Sequence, residues 1–233
     1  VGSEMCIRDR FRDDNIQTAA SGSQKKFKPE IIYHDHNVLI VNKPVGVLSQ
    51  KASKDDYSIN ESVLDYLLDN GYITSEQLRT YKPSICNRLD RNTSGLVLCG
   101  VSLMGNQELS RIIRERNIDK YYYTIVKGHI KSVQDVTAYL VKDEKKNTVI
   151  VRDGVDEIKQ DSGKNEFEKI HTIFEPVRSN GKYTEVKVKL ITGKTHQIRA
   201  QLAHAGFPIL GDQKYGTQTS MELSLIHISE PTR

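Results

Sequence analysis

Residues 183–190 alternate between polar and apolar side chains, and this two-residue period constrains the fold more than any other feature of the chain. The apolar positions are Val186, Val188 and Leu190, and the charged positions between them are Glu185, Lys187 and Lys189. Successive side chains of a β-strand point to opposite faces, so this pattern is typical of a sheet with one buried and one solvated face. Such half-polar strands are common in antiparallel sheets. We therefore expect a sheet that is mainly antiparallel.

Other segments predict the remaining elements. Runs rich in β-branched and aromatic residues predict strands at 30–33, 38–41, 120–128 and 148–151, and apolar residues at helical spacing predict helices at 59–70 and 102–117. Within 120–128, alternation places Tyr122, Thr124 and Val126 on one face of the sheet. Few of these strands lie in βαβ order, as a parallel sheet requires. The predicted fold class is α+β, with a mixed, mainly antiparallel sheet and flanking helices.

Composition limits the kind of protein. The chain has 233 residues, of which 37% are hydrophobic and 27% charged, and this balance suits one sizeable globular domain. No run of about 18 apolar residues occurs, so we expect no membrane span. The three cysteines, Cys6, Cys86 and Cys99, are too few for a disulfide framework or a zinc site. These features favour the reduced cytoplasm. The net charge of +4 is a weak indication of a polyanionic partner.

The carboxylate of Asp90 stands in an unusual context. Arg88 and Arg91 flank it, turn-forming residues follow at 92–95, and the apolar run 96–99 predicts a core strand. Asp90 would thus lie on a loop braced by a strand, where catalytic groups are often presented. The residues alone leave a second interpretation equally open, in which Asp90 only bonds the turn behind it.

A second cluster of polar residues follows the alternating strand. Thr192 and Gly193 end that strand, and Thr195 is positioned to cap a helix whose apolar stripe is Ile198, Leu202 and Ala205. Lys194, Thr195, His196 and Arg199 would surround the first helical turn, where backbone N–H groups and the helix dipole favour an anion. The alternative is an ordinary helix cap with surface charges.

Four segments in the same order resemble the motifs of the Rlu-type RNA pseudouridine synthases. They are Lys-Pro-x-Gly at 43–46, Arg-Leu-Asp with Thr-Ser-Gly at 88–95, Lys-x-Tyr at 120–122, and the segment 193–199 with its continuation at 206–216. Two residues depart from the family pattern: Asn87 replaces a usual His, and Lys194 replaces a usual Arg, keeping its charge but not its bidentate geometry. The resemblance covers about residues 29–216 and implies the bent sheet of that family's catalytic fold.

The resemblance implies a specific chemistry. Pseudouridine formation detaches uracil from ribose, rotates it and rejoins it through a ring carbon. Asp90 would be the essential carboxylate, acting either as a nucleophile on the sugar or as a base that yields a glycal intermediate. Arg199 would pair with it, and a guanidinium favours the ionised form. Tyr122 would stack on the detached base, with Leu89 and Ile191 lining the base pocket.

The partner implied is RNA, most closely large-subunit ribosomal RNA. The target base must be flipped out of the stack, and Arg88 is the candidate to fill the vacated space. Further RNA contacts are expected from Lys43, Lys194, Thr195, His196 and Gln197, with added attraction from the lysines of 182–189. The uridine supplies every atom of the product, so we expect no metal and no cofactor. No obligate protein partner is implied.

The chain divides into four predicted regions. Residues 1–10 (VGSEMCIRDR) and 224–233 (SLIHISEPTR) fit no periodic pattern and resemble translated sequencing-adapter DNA, so we expect both to be non-native tails and omit them from the fold prediction. Residues 11–28 predict a polar linker, the remnant of a lost N-terminal RNA-binding domain. Residues 29–223 predict the catalytic domain, truncated at its C-terminal end.

Two rival functions are weighed against the enzyme. A non-catalytic RNA-binding module on the same fold would use the aromatic and basic residues but not Asp90. A carboxylate hydrolase such as a glycosidase would need a second carboxyl group about 5–10 Å from the first. No sequence motif pairs a second carboxylate with Asp90.

Overall fold

The structure, a computed structural model, describes residues 26–143, 148–154 and 167–216, together with the backbone of 225–231. The strands are β1 (Glu30–His34), β2 (Val38–Lys43), β3 (Ser84–Ile85), β4 (Ser94–Gly100), β5 (Ile118–Lys127), β6 (Gln134–Asp143), β7 (Thr148–Arg152), β8 (Phe167–Ser179), β9 (Tyr183–Leu190) and β10 (Leu225–Pro231). The helices are α1 (Ile59–Asp69), α2 (Gln77–Thr80), α3 (Leu103–Arg114) and α4 (Gln197–His204).

The strands form one sheet in the order β1-β2-β4-β10-β5-β9-β8-β6-β7, with β3 added to β4. Among the described strands, β10 and β4 run parallel, and every other pairing is antiparallel. The sheet therefore consists of two antiparallel halves that meet at β10. The predicted α+β class, with a mainly antiparallel sheet and flanking helices, is confirmed.

Burial follows the predicted alternation. In β9 every second residue is buried, and in β5 Tyr122, Thr124 and Val126 are buried while their neighbours are more exposed. These inner faces pack into a single core cluster that also takes residues from β2, β4, α1 and α4. Leu67 of α1 and Leu202 of α4 are wholly buried, and each such side chain contributes about 1.5–3 kcal/mol by leaving water. The core thus ties both halves of the sheet together.

Some predicted details are wrong. Thr195 does not cap α4: the residue at that position is His196, and it makes no side-chain capping bond. Ala205 is not part of the apolar stripe, since it ends the helix and is exposed. Strands β6 and β8 lie outside the predicted elements; they pair with each other and with β7 and β9.

The strand β10 comes from the segment that we had omitted from the fold. Its backbone pairs with β5 from Leu225 to Pro231 and with β4 at Ile226 and His227. That residues 224–233 are non-native remains a prediction, and residues 1–25 lie outside the described part of the chain. Across that described part, no helix has the length and apolar character needed to cross a membrane.

Candidate active site

The loop that carries Asp90 is fixed on both sides by hydrogen bonds. The Ser49 hydroxyl accepts from the Leu89 N–H at 3.0 Å and donates to the Leu89 carbonyl at 2.8 Å. The Thr93 N–H donates to the Asp90 carbonyl at 3.0 Å, which closes the turn. Leu89 is buried in the core, whereas the Asp90 side chain keeps 32% of its surface exposed. The backbone is held and the carboxylate is presented to solvent.

Asn87 ties this loop to strand β4. Its Oδ1 accepts from the Leu98 N–H at 2.7 Å, and its Nδ2 donates to the Leu96 carbonyl at 3.1 Å. Both bonds go to backbone groups of β4. The departure from the usual His therefore places an amide side chain that braces the loop through one donor and one acceptor.

Arg199 joins two carboxylates through three of its N–H groups. Its Nη1 donates to Asp90 Oδ2 at 3.2 Å, while Nε and Nη2 bind the two oxygens of Asp212 at 2.8 Å each. The fork of the guanidinium matches a carboxylate in this bidentate geometry. The contact with Asp90 spans 109 positions in sequence. It is the pairing that the resemblance implied.

Asp212 is the site residue that sequence reasoning missed. Its side chain has no exposed surface, and its Oδ1 also accepts from the N–H groups of Lys214 and Tyr215. Burial raises the pKa of Asp212, but the hydrogen bond and charge of Arg199 outweigh it and leave the pKa below its ordinary value. Asp212 therefore stays ionised and orients Arg199. Its place in the segment 206–212 was the available signal, but we assigned it no role.

Tyr122 lies on the inner face of β5, within electrostatic range of the carboxylate of Asp90. Only 8% of its surface is exposed. Burial raises the pKa of its hydroxyl, and the negative charge of Asp90 raises it further. Tyr122 is therefore a neutral phenol with its ring in the buried layer next to Asp90.

His196 approaches Asp90 from the start of α4. Its Nε2 lies 3.9 Å from Asp90 Oδ2, and its Nδ1 lies 2.9 Å from the hydroxyl of Tyr215. The same hydroxyl accepts from the Val149 N–H at 2.8 Å. Tyr215 thereby connects β7 to the site. Its ring also lies 5.3 Å from Arg199 Cζ, within the range of a cation–π contact.

Two residues predicted to contact RNA do not have accessible side chains. Lys43 is wholly buried, and its Nζ donates to the carbonyls of Pro44, Val47 and Arg91. Gln197 is also buried. Its Nε2 binds the His171 carbonyl at 3.2 Å, and its Oε1 accepts from the Lys194 N–H at 3.0 Å. Both residues stabilise turns around the site, so we withdraw the RNA contacts predicted for them.

The other predicted residues differ in accessibility. Arg88 and Thr195 are exposed near Asp90 and α4 respectively. Lys194 is exposed too, but its ammonium forms an ion pair with Glu168. Ile191 follows β9 and is half-buried. The roles proposed for these residues on RNA or on the base remain predictions.

The fold and the site define a class of protein. A family model described as RNA pseudouridylate synthase matches residues 37–204, which is most of the chain. This chain belongs to that family.

Several curated pseudouridine synthases are similar to this chain. The chain is 31% identical over 188 residues to "Ribosomal large subunit pseudouridine synthase D" of Borreliella burgdorferi, covering 80% of this chain and 54% of the relative. It is 32% identical over 201 residues to "Uncharacterized RNA pseudouridine synthase" of Aquifex aeolicus, covering 83% and 59%. The first-named relatives are thus matched over little more than half their length. "Dual-specificity RNA pseudouridine synthase RluA" of Pasteurella multocida is 29% identical, covering 84% of this chain and 80% of the relative.

Solved structures share the fold. "Human RNA Pseudouridylate Synthase Domain Containing 1" superposes with a TM-score of 0.66 at 20% identity, covering 89% of this chain and 79% of that chain. "Human RNA Pseudouridylate Synthase Domain Containing 4" gives a TM-score of 0.62 at 18% identity, covering 88% of each. At these identities the likeness concerns the fold alone.

Proposed function

We propose that this protein is an RNA pseudouridine synthase that converts uridines of large-subunit ribosomal RNA to pseudouridine. The observation that carries the proposal is the ion pair of Asp90 with Arg199 at 3.2 Å beside the buried ring of Tyr122. Large-subunit ribosomal RNA is proposed because the name of the Borreliella burgdorferi relative specifies it. A ribosomal RNA substrate is also the reason to keep the predicted cytoplasmic location.

Asp90 is the residue that acts on the sugar. It either attacks the anomeric carbon, which forms a covalent sugar ester, or removes a ribose proton, which gives a glycal. Both routes start from an ionised carboxylate, and Arg199 holds that carboxylate through the contact of Nη1 with Oδ2. Asp212 binds the other edge of the Arg199 guanidinium, through Nε and Nη2. The guanidinium is therefore already oriented before substrate arrives.

The detached uracil must stay in the pocket while it turns. The ring of Tyr122 offers a flat apolar surface for stacking, and its hydroxyl remains neutral because burial raises its pKa. The ring therefore adds no second negative charge next to Asp90. Ile191 supplies an apolar wall, so the base can rotate without fixed hydrogen bonds that would hold it in one orientation.

The target nucleotide has to leave its stack to reach Asp90. Arg88 is exposed and directly precedes the segment that carries the carboxylate. Its guanidinium would occupy the space vacated by the flipped base and contact the neighbouring phosphate. Thr195 and Lys194 lie at the entrance formed by the start of α4 and add polar contacts to the backbone.

A two-carboxylate hydrolase fits the site poorly. Asp212 is a second carboxylate bound to Arg199, but it is wholly buried and its oxygens accept four hydrogen bonds from Arg199, Lys214 and Tyr215. Its lowered pKa keeps it from acting as a general acid. The arrangement supports one reacting carboxylate and one that orients its partner.

The test is the variant Asp90→Asn. The new carbon–carbon bond replaces the hydrogen at uracil C5, so tritium release from ribosomal RNA labelled at that position measures the reaction. We expect no turnover by Asp90→Asn, with RNA binding within about twofold of wild type because the amide keeps the shape of the side chain. Asp135→Asn, which alters only a surface pair with His171, is the control with full activity. Equal release by Asp90→Asn and wild type would show that Asp90 is not the catalytic carboxylate. RNA binding without any release by the wild type would leave only the RNA-binding module.

A further inference from the structure

His196 has an unusual backbone conformation. Its φ is +55°, in the left-handed region that residues other than glycine rarely adopt. It occupies the N-cap position of α4, yet its side chain makes no capping bond. Such a backbone conformation is often found at functional sites. In this case the conformation directs the ring away from the helix and between Asp90 and Tyr215.

The hydrogen-bond partners of the Tyr215 hydroxyl indicate which nitrogen of His196 carries the proton. The Tyr215 oxygen already accepts from the Val149 N–H at 2.8 Å, and Nδ1 of His196 lies 2.9 Å away. A phenol has one hydrogen to donate, and Nδ1 is the acceptor available to it among the described residues. If Nδ1 carried the proton instead, the hydroxyl hydrogen would have no acceptor there. Tyr215 therefore donates to Nδ1, and the neutral ring carries its hydrogen on Nε2.

That Nε2–H group faces the catalytic carboxylate. Nε2 lies 3.9 Å from Oδ2 of Asp90, and Nη1 of Arg199 lies 3.2 Å from the same oxygen. The longer distance exceeds a hydrogen bond, but contacts of this kind commonly tighten when substrate binds. Two donors thus converge on Oδ2, and Oδ1 is left for the ribose.

We propose that His196 is a positioning residue, held by Tyr215 as the Nε2–H tautomer, which with Arg199 fixes Oδ2 of Asp90 so that Oδ1 is the oxygen that reacts with the sugar. The proposal rests on the proposed function for its kinetic part, whereas the tautomer is a property of the folded protein alone. No covalent step is assigned to His196, and the proton on Nε2 stays in place throughout.

The charges around the ring support a neutral imidazole. Burial lowers the pKa of His196, and the cations Arg199 and Lys214 lower it further, while Asp90 and Asp212 oppose them. On its other side the ring borders a cleft of about 320 Å³ that also contains Lys142 and Glu168. The net effect places the pKa below its ordinary value, so the ring is uncharged at neutral pH.

The first test reads the tautomer directly. Long-range proton–nitrogen correlation spectra of the full, ¹⁵N-labelled chain at pH 7.5 distinguish a nitrogen that bears hydrogen from one that does not, and His196→Gln identifies the signals. We expect Nε2 to bear the hydrogen in the wild type and the preference to weaken in Tyr215→Phe. A wild-type ring protonated on Nδ1 would overturn the proposal. This experiment needs no turnover, so its outcome is separable from failure of the proposed function.

The second test compares variants that keep or lose the donor. Glutamine can place an N–H near the position of Nε2, whereas asparagine reaches only as far as Nδ1. We expect the kcat of His196→Gln to stay within about threefold of the wild-type value, and that of His196→Asn to fall by about tenfold or more. KM should change little in both variants, because the change affects the orientation of the catalytic group and not substrate binding. Equal losses in the two variants would contradict a positioning role.

The third test uses pH. In Tyr215→Phe the ring can turn a lone pair on Nε2 towards Asp90 and so lose the donor that faces Oδ2. Lowering the pH protonates the ring and restores Nε2–H. We expect the ratio of kcat for Tyr215→Phe to that of wild type to rise only at pH values well below about 6.5, the ordinary pKa of histidine, because burial lowers the pKa of His196. Thermal denaturation first establishes that the variant is folded. A ratio independent of pH would mean that Tyr215 acts only by packing.

Discussion

At the scale of the residue, Arg199 links the carboxylate of Asp90 to that of Asp212. Three N–H groups bind two carboxylates, and Asp212 on one side is wholly buried. In Arg199→Ala the buried charge of Asp212 loses its partner, so we expect a loss of about 3–5 kcal/mol in the free energy of unfolding together with the loss of tritium release. Urea denaturation and the activity assay measure the two effects.

The matched control is Arg111→Ala. Arg111 also contacts two carboxylates, those of Glu108 and Glu115, but all three side chains are exposed on α3. Exposed ion pairs contribute little to stability. We expect the urea midpoint and the activity of this variant to match the wild type. If the two arginine variants behaved alike, the special position of Arg199 would be disproved.

Lys43 makes stability depend on pH. Burial lowers its pKa to about 7 from an ordinary value of 10.5, and the charge of Asp90 opposes the shift. Between these two values the unfolded chain binds a proton that the folded chain has released, so raising the pH favours folding. We expect the stability of wild type relative to Lys43→Met to rise between pH 7 and pH 10, by at most about 1.4 kcal/mol per pH unit.

The control for Lys43 is Lys169→Met, since Lys169 is exposed on β8. Urea denaturation at pH 7, 8 and 9 gives the stability difference between each variant and the wild type. The difference for Lys169→Met should be constant across this range. A constant difference for Lys43→Met as well would show that Lys43 keeps its proton in the folded protein.

The chemical type of the site residues could be predicted from sequence, but the burial of their side chains could not. Asp90, Arg199 and Tyr122 were named from motif positions, and the structure brings them together. Lys43 and Gln197 were read as surface contacts because a Lys in a turn and a Gln at a helix start are commonly exposed. Their burial depends on carbonyl groups supplied by distant turns, such as that of Arg91 for Lys43.

At the scale of the element, local pattern predicted some strands and missed others. The alternation of β9 is clear because its outer residues are uniformly polar. In β8 the alternation is interrupted by Pro176 and by an irregularity between Pro176 and Arg178. This strand is held by pairing with β6 and β9 on its two sides. Stabilisation of that kind comes from partners distant in sequence, which local propensity does not report.

The start of α3 packs closely against the turn between β1 and β2. A Cβ added to Gly105 would lie 2.0 Å from the Asn37 carbonyl oxygen, which also accepts from the Val101 N–H at 2.8 Å. The helix or the turn must therefore move in Gly105→Ala. We expect a loss of about 1–3 kcal/mol in the free energy of unfolding, measured by urea denaturation.

Gly154→Ala serves as the control for this prediction. Within the described part of the chain, a Cβ at Gly154 meets no atom within 4 Å. Its substitution should change stability by no more than about 0.5 kcal/mol, as for other unconstrained surface positions. Comparable losses in the two variants would mean that the cost does not arise from the contact with Asn37.

At the scale of the whole molecule, the site is assembled where the two halves of the sheet meet. Asp90 precedes β4 in one half, while Tyr122 and Arg199 belong to the half that contains β5 and α4. The alternation of polar and apolar residues predicted strands in both halves of the sheet, but it offered no information about where the two halves lie relative to each other. The expectation that Asp90 meets Arg199 came from the family resemblance, and the shared core of the two halves provides the physical reason that they do meet.

The charge of the whole surface affects how strongly the protein binds RNA. A net charge of +4 is modest, so RNA affinity depends on which cations are free to meet phosphates. Arg88 is exposed beside Asp90, whereas Arg111 is held by Glu108 and Glu115. Each phosphate contact contributes about 0.7–0.9 to the slope of log K against log salt concentration.

We expect Arg88→Gln to reduce that slope by about this amount for a ribosomal RNA fragment, and Arg111→Gln to leave it unchanged. Filter binding over about a sixfold range of salt concentration, from about 50 to about 300 mM, measures both slopes. An unchanged slope for Arg88→Gln would exclude a phosphate contact at the entrance to the site.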